Sequence, residues 1–458
     1  MNSITRQMAQ FALNLQYKDI PADAVHEAKR FLLDSVGCAL AAVPLDDMQA
    51  AHRHIVALGS TPEATVIGSG HRTNAVNAAL MNALLVRALD YNDIYWEQDP
   101  SHPSDIIPAA LAAGEVTHRD GREVIVGILI AYELEIRWCN AATPGIREVG
   151  WHHASLTQFV SPFVAGRMLG LSEDQMVAAA GISGSSHFTL GCVVAGHLTN
   201  MKNTADPMAT EAGVRAALLA REGYTGPVEV VEGKEGLIEV LSNVEWSTDV
   251  LVNGLGEKFL ITQCSYKAFP TEALTHQPIT AALSICRAHS ITAEDVAEVH
   301  IRTTTRGADI LSDPSKYQPT TKETADHSLP YCVACAIADG NVLPSSFEEE
   351  KLRDPRIWAL LPKIKVVADP EIDALFPAVK RTIVRITTTD GKVYEEQVDH
   401  AKGSPENPMS DDEIVAKFRA NASAVLTPEK QDRLIKATWG LEDFADIGEY
   451  MRLLVSDR

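Results

Sequence analysis

The period of the apolar residues changes twice along this chain, and that limits the folds open to it. Through residues 1–265 they recur at helical spacing. In 22–42, Ala24, Val25, Ala28, Phe31, Leu32 and Val36 fall on one side, with Pro21 where a helix starts. In 74–90, Val76, Ala79, Leu80, Ala83, Leu84 and Ala88 repeat the pattern, and further helices are expected over 106–117, 124–140, 155–169, 173–182 and 209–222. Small residues are abundant in these segments, which lets helices approach closely. From 266 the period shortens. Residues 296–304 and 363–368 alternate as strands do, and 381–388 and 393–398 flank Thr389-Asp390-Gly391-Lys392, a hairpin turn in which Gly tolerates positive φ. Helices are expected over 270–288 and 327–338. After a loop at 402–408, Ser410 and Glu413 form a capping box, and helices run to Leu454. The expected fold is mainly α with an α+β part. A large helical domain takes 1–265 and 403–458, and a smaller inserted α/β lid takes 266–402, its junctions acting as a hinge.

A formal charge of −21 disfavours nucleic acid and anionic membranes as partners. It also repels an anionic substrate, so a site for one must be locally basic. No stretch approaches about 18 uninterrupted apolar residues, and residues 1–11 lack the pattern of a signal peptide, so a cytoplasmic protein without a membrane span is expected. The seven cysteines are odd in number and scattered, which suits reduced core thiols. Cys332 and Cys335, with Cys264 upstream, could mimic the thiolates of an iron–sulfur dehydratase, but the pair lies in an apolar helical run and reads as core.

Several polar groups interrupt these apolar stretches. Asp90-Tyr91-Asn92-Asp93 ends a helix, and Ser101-His102-Pro103-Ser104-Asp105 follows, a combination suited either to general acid–base chemistry or to helix termination and a solvated loop. His152 and His153 stand before a helix start, where the dipole disfavours a cationic imidazole, so a neutral ring or one facing an anion fits better. Lys202 leads into an apolar helix and Lys267 stands at the domain junction; each is either a solvated lysine or an anchor for a substrate carboxylate. Tyr317 and His327 complete the set, His327 serving either the site or the start of its helix.

Together these segments resemble the MmgE/PrpD family, which includes 2-methylcitrate dehydratase, cis-aconitate decarboxylase and iminodisuccinate epimerase. The resemblance rests on Phe31 to Cys38, Leu89 to Asp93, His102 to Asp105, Gly150-Trp151-His152, Lys202, Lys267 to Pro270, Glu323 to Tyr331 and Asn407 to Ser410, in the family's order. It implies an active site between a helical domain and an inserted lid, a homodimer, a small polycarboxylate substrate, and neither cofactor nor metal. Asp90, His102, His152 and Tyr317 match catalytic positions; Lys202, Lys267, Glu272 and His327 are assigned to substrate binding. Decarboxylating members carry His where this chain has Glu272, and Ile94 replaces a frequent Thr. The expected reaction is therefore dehydration of 2-methylcitrate or a close tricarboxylate, with Lys202 and Lys267 as carboxylate clamps, Asp90 or His152 as base and His102 or Tyr317 as acid. Epimerisation of an imino-dicarboxylate such as iminodisuccinate, decarboxylation of cis-aconitate, and non-catalytic binding of a polyacid are the rivals.

Overall fold

The computed structural model describes residues 3–195 and 198–457 and divides into two units. The first takes Met1–Gly196, Asn200–Cys264 and Ser410–Arg458; the second takes His197–Thr199 and Ser265–Met409. No helix among the described residues is long and apolar enough to cross a membrane.

The first unit is helical. Helix Ala22–Ala42 buries its expected stripe and also Asp34 and Ser35. Helix Asp411–Ala422 starts at Ser410, and both halves of the capping box with Glu413 form. It packs on Ala22–Ala42 at Gly37, where an added Cβ would lie 3.3 Å from Phe418 Cα. Lys417 reaches across this contact to Asp34 at 2.7 Å, so the end of the chain is held by a buried ion pair. Helix Ala75–Arg87 is capped by Asn74, and Gly121–Ala141 by Asp120.

Two helices depart from the expected spans. The single helix over 155–169 is two, Ala154–Thr157 and Ser161–Leu169, because Pro162 has no N–H to continue the ladder and starts a new helix instead. Helix Met201–Arg221 starts well before residue 209 and runs through Pro207. The polar run from Lys202 to Asp206 looked like a loop. It is helical because its side chains find buried partners, Asp90 for Lys202 and the Ala88 carbonyl for Asn203. At Gly213 this helix lies so close to Ser161 that a Cβ would sit 2.0 Å from its Oγ.

The second unit is built on a four-stranded sheet. Strand Val296–Thr303 pairs in parallel with Ile364–Ala368 and antiparallel with Thr382–Thr388, which forms the hairpin with Val393–Val398. Gly391 takes φ 86° in the turn, as that hairpin requires. Helix His276–His289 lies against both hairpin strands and against Leu329–Asp339. Both helices begin later than expected. Glu272 caps the short turn Ala273–Thr275 before the first, and Ser328 accepts from Tyr331 N–H to cap the second.

Candidate active site

Polar side chains converge in the first unit where helix Ala75–Arg87 ends. Asp90 follows in a left-handed conformation, φ 49°, which Asp tolerates better than most residues. The turn brings its Oδ1 back to Arg87 Nη1, while Oδ2 meets Lys202 Nζ at 3.0 Å. Arg87 Nε lies 3.6 Å from Asp105 Oδ2. All four residues are buried. Burial opposes the Arg87 charge, but Asp90, Asp105 and Asp206 more than offset it and hold the guanidinium firmly cationic.

The small hairpin Tyr95–Trp96 with Pro100–Ser101 delivers His102. Its Nδ1 lies 2.6 Å from the Asp93 carbonyl. A carbonyl can only accept, so Nδ1 carries a proton, and in the neutral ring the lone pair is that of Nε2. The Asp93 carboxylate accepts from Ser104 N–H at 3.0 Å and from Ser104 Oγ at 2.6 Å. Burial nevertheless pushes it up to about 6. Burial also raises Asp105 well above the usual range, against the pull of Arg87.

His152 has the opposite tautomer. Its Nδ1 accepts from Ala154 N–H at 3.2 Å, so in the neutral ring the proton sits on Nε2. Burial, then the neighbouring His153, push its pKa well below the usual value, so the ring stays neutral. The His152 and His153 centroids are 3.9 Å apart, and His102 lies 5.7 Å from His153. His153 Nε2 is 3.4 Å from Asp206 Oδ2. The acid form of Asp206 is favoured by burial, but His153 and Arg87 outweigh this and keep it ionised.

Among the described residues, His152, His153 and Asp206 are the one group with spacing that could suit a metal. The His152 ring does not fit that role as it stands. Nδ1 is occupied by Ala154 N–H and Nε2 is protonated, which leaves two donors where a catalytic zinc site uses three protein ligands. Cys332 and Cys335 are buried free thiols, and burial raises both. That is the behaviour of core residues.

In the second unit Lys267 is fully buried. Glu272 Oε2 accepts from Leu274 N–H at 2.7 Å, and its own N–H donates to the Asp326 carbonyl at 3.0 Å. Asp326 Oδ1 lies 2.6 Å from His327 Nδ1 and its Oδ2 3.3 Å from Lys322 Nζ, so Glu272 and His327 share a neighbourhood. Tyr317 is half-buried, its hydroxyl pKa raised by burial against a hydrogen bond from the Val366 backbone. The Ser328 hydroxyl donates to the carbonyl of the adjacent Lys316, tying this turn to the His327 segment.

The structure thus gathers Asp90, His102, His152 and Lys202 in one cluster and Glu272 and His327 in another. Sequence reasoning missed Arg87, Asp206 and Glu135. Arg87 precedes Asp90 by three residues and Asp206 follows Lys202 by four, pairings that a helix-face count would have found. Glu135 is fully buried in helix Gly121–Ala141, and its Oε1 accepts from Ser101 Oγ and from Thr157 Oγ1 at 2.8 Å. Its signal was a carboxylate in an apolar helix with no Lys or Arg three or four residues away.

Comparison with known proteins extends over nearly the whole chain. Residues 6–248 match the MmgE/PrpD N-terminal domain and residues 269–443 the MmgE/PrpD C-terminal domain. The chain is 28% identical to the 2-methylcitrate dehydratase of Cupriavidus necator, over 91% of this chain and 89% of that protein. It is 25% identical to the human cis-aconitate decarboxylase and 26% to the cis-aconitate decarboxylase-like protein oryM of Aspergillus oryzae, each over 99% of this chain and 95% and 97% of the relatives. The two domain matches, in order and over most of the sequence, place this chain in the MmgE/PrpD family.

Proposed function

We propose that the chain is a lyase that dehydrates 2-methylcitrate, or a closely related tricarboxylate, to 2-methyl-cis-aconitate. The observation that carries this reading is the pair of opposite tautomers: His102 presents a lone pair and His152 presents an N–H, beside Lys202. Dehydration needs both, because a proton must leave the carbon next to a carboxylate while negative charge builds on that carboxylate. His102 Nε2 takes the proton. His152 Nε2–H and the Lys202 ammonium donate to the developing charge, in a buried setting where such donors are strongest. Asp90, engaged by Arg87 and Lys202, holds the lysine in place rather than serving as the base. The family resemblance implies Lys267, Glu272 and His327 as substrate contacts and Tyr317 as an alternative acid.

Donors outnumber what the acidic composition suggests. Among the described residues, the cluster's buried polar atoms without a hydrogen-bond partner include Arg87 Nε, both His153 nitrogens, and one oxygen each of Asp105 and Glu135, two carboxyls whose pKa burial raises. Such a set suits a polyanion.

The test is a product assay across 2-methylcitrate, citrate, cis-aconitate and iminodisuccinate, following the ultraviolet absorbance of the conjugated alkene. Lys267→Ala should cut turnover roughly tenfold or more without unfolding the protein; near-normal activity would sink the clamp. A second reading, decarboxylation of cis-aconitate, is favoured by the near-equal identity to proteins of that name. Release of CO2 from cis-aconitate with no alkene from 2-methylcitrate would install it instead. A cytoplasmic homodimer without cofactor belongs to the same proposal; sedimentation tests the dimer, and an active, metal-free preparation tests the cofactor.

A further inference from the structure

The reaction needs a proton for the departing hydroxyl, and the helical unit holds a group built to supply one. Glu135 is wholly buried, and among the described residues no Lys or Arg forms an ion pair with it. Its Oε1 takes two hydroxyl hydrogen bonds, from Ser101 and from Thr157, which leaves Oε2 as the oxygen for the proton. Oε2 is buried and has no hydrogen-bond partner among the described residues. Ser101 directly precedes His102, and Thr157 ends the short helix that starts after His153, so both hydroxyls tie Glu135 to the imidazole cluster.

We propose that Glu135 is a proton donor of this site, a neutral carboxyl whose Oε2–H protonates the hydroxyl oxygen that leaves the substrate. The proposal rests on the dehydration reading. The step balances: the C–H electron pair forms the C=C bond, His102 takes that proton, the C–O bond breaks toward oxygen, and the Glu135 proton completes water. The proton on His102 then returns to Glu135 between turnovers, so no net proton is consumed. The surroundings favour the neutral acid. Burial first, with the facing carboxylates Asp206 and Asp93, raises Glu135 to about 8 against the pull of Ser101 and Thr157. Cys139, on the same helix, is raised well above its usual value, first by burial, so it stays a neutral thiol. Arg137, two residues on, is committed to Glu133 at 2.8 Å.

Glu135→Gln keeps an acceptor for both hydroxyls and removes only the proton. Its turnover should fall at least about 100-fold with KM little changed, and the alkaline limb of the wild-type kcat–pH profile, expected near 8, should vanish. Independently of activity, the infrared difference between wild type and Glu135→Gln at neutral pH should contain the carbonyl stretch of one protonated carboxyl. A wild-type rate in the variant, or no such band, overturns the proposal. So does loss of the alkaline limb in Tyr317→Phe with Glu135→Gln unaffected. Should the Gln variant not fold, Ser101→Ala removes a bond that lowers Glu135, so the alkaline limb must move to higher pH; an unmoved limb overturns the proposal. A wild type that forms no alkene from any of the acids refutes the dehydration reading, while the infrared band still decides whether Glu135 is neutral.

Discussion

Replacing Lys417 by Met should destabilise the helical unit by about 3–5 kcal/mol. Lys417 Nζ lies 2.7 Å from Asp34 Oδ1, with the two side chains 4% and 1% exposed. It also donates to the Tyr91 carbonyl at 2.7 Å and sits 3.9 Å above the Tyr91 ring. At an effective dielectric near 20 the bare attraction at this distance is about 6 kcal/mol, but much of it repays the desolvation of two charges. The loss on removing one partner comes from the other being left buried and alone. Asp34 is already raised by burial, with Lys417 as the main opposing influence. Without Lys417 it must rise further. A carboxyl whose pKa is raised by folding contributes stability below its unfolded pKa and loses it as pH climbs through the folded value. The deficit of Lys417→Met should therefore be small in mild acid and grow toward neutral pH, by at most about 1.4 kcal/mol per unit. Urea unfolding followed by circular dichroism at several pH values reads this directly. Adding Asp34→Asn should recover most of the loss. A single variant costing under about 1 kcal/mol, or a pair no better than the single, would refute the argument.

Two further substitutions probe the site. His102→Gln should lower turnover by about 10²–10⁴-fold with little change in KM, because it removes the lone pair held by the Asp93 carbonyl; steady-state kinetics showing less than about a tenfold loss would return the base to another group. Glu272→Ala removes the acceptor for Leu274 N–H and should cost about 1 kcal/mol of stability; a large rise in KM with no loss of stability would make Glu272 a substrate contact instead of a cap.

The helices and strands were legible where a segment has one apolar side, as in Ala22–Ala42 and Val296–Thr303. They were not legible where the site itself breaks the pattern. Helix Met201–Arg221 begins with Lys202, Asn203 and Asp206, polar residues that are nevertheless buried, so its first turns read as a loop. The break before Ser161–Leu169 was written in Pro162 but hidden by the apolar run around it. Among the site residues, those with unusual neighbours, such as His152 beside His153, stood out. Arg87 and Glu135 did not, because an Arg or Glu on a long helix is ordinarily a solvated side chain, and only the fold reveals that both are buried.

How a chain of charge −21 would receive a polyanion follows from two devices in this cluster. Asp90 keeps its charge but spends it on Arg87 and Lys202, which fixes the lysine without leaving a bare carboxylate. Glu135, raised by burial, loses its charge and becomes a donor. Neither device adds a cation; each lowers the repulsion a substrate carboxylate would meet. The first depends on geometry, since Asp90 reaches both cations only from its left-handed turn. The second depends on dryness, since water at Oε2 of Glu135 would remove the penalty that keeps it protonated. A site of this kind would bind an acid by being neutral more than by being positive, which is consistent with members that look, residue by residue, like an acidic core.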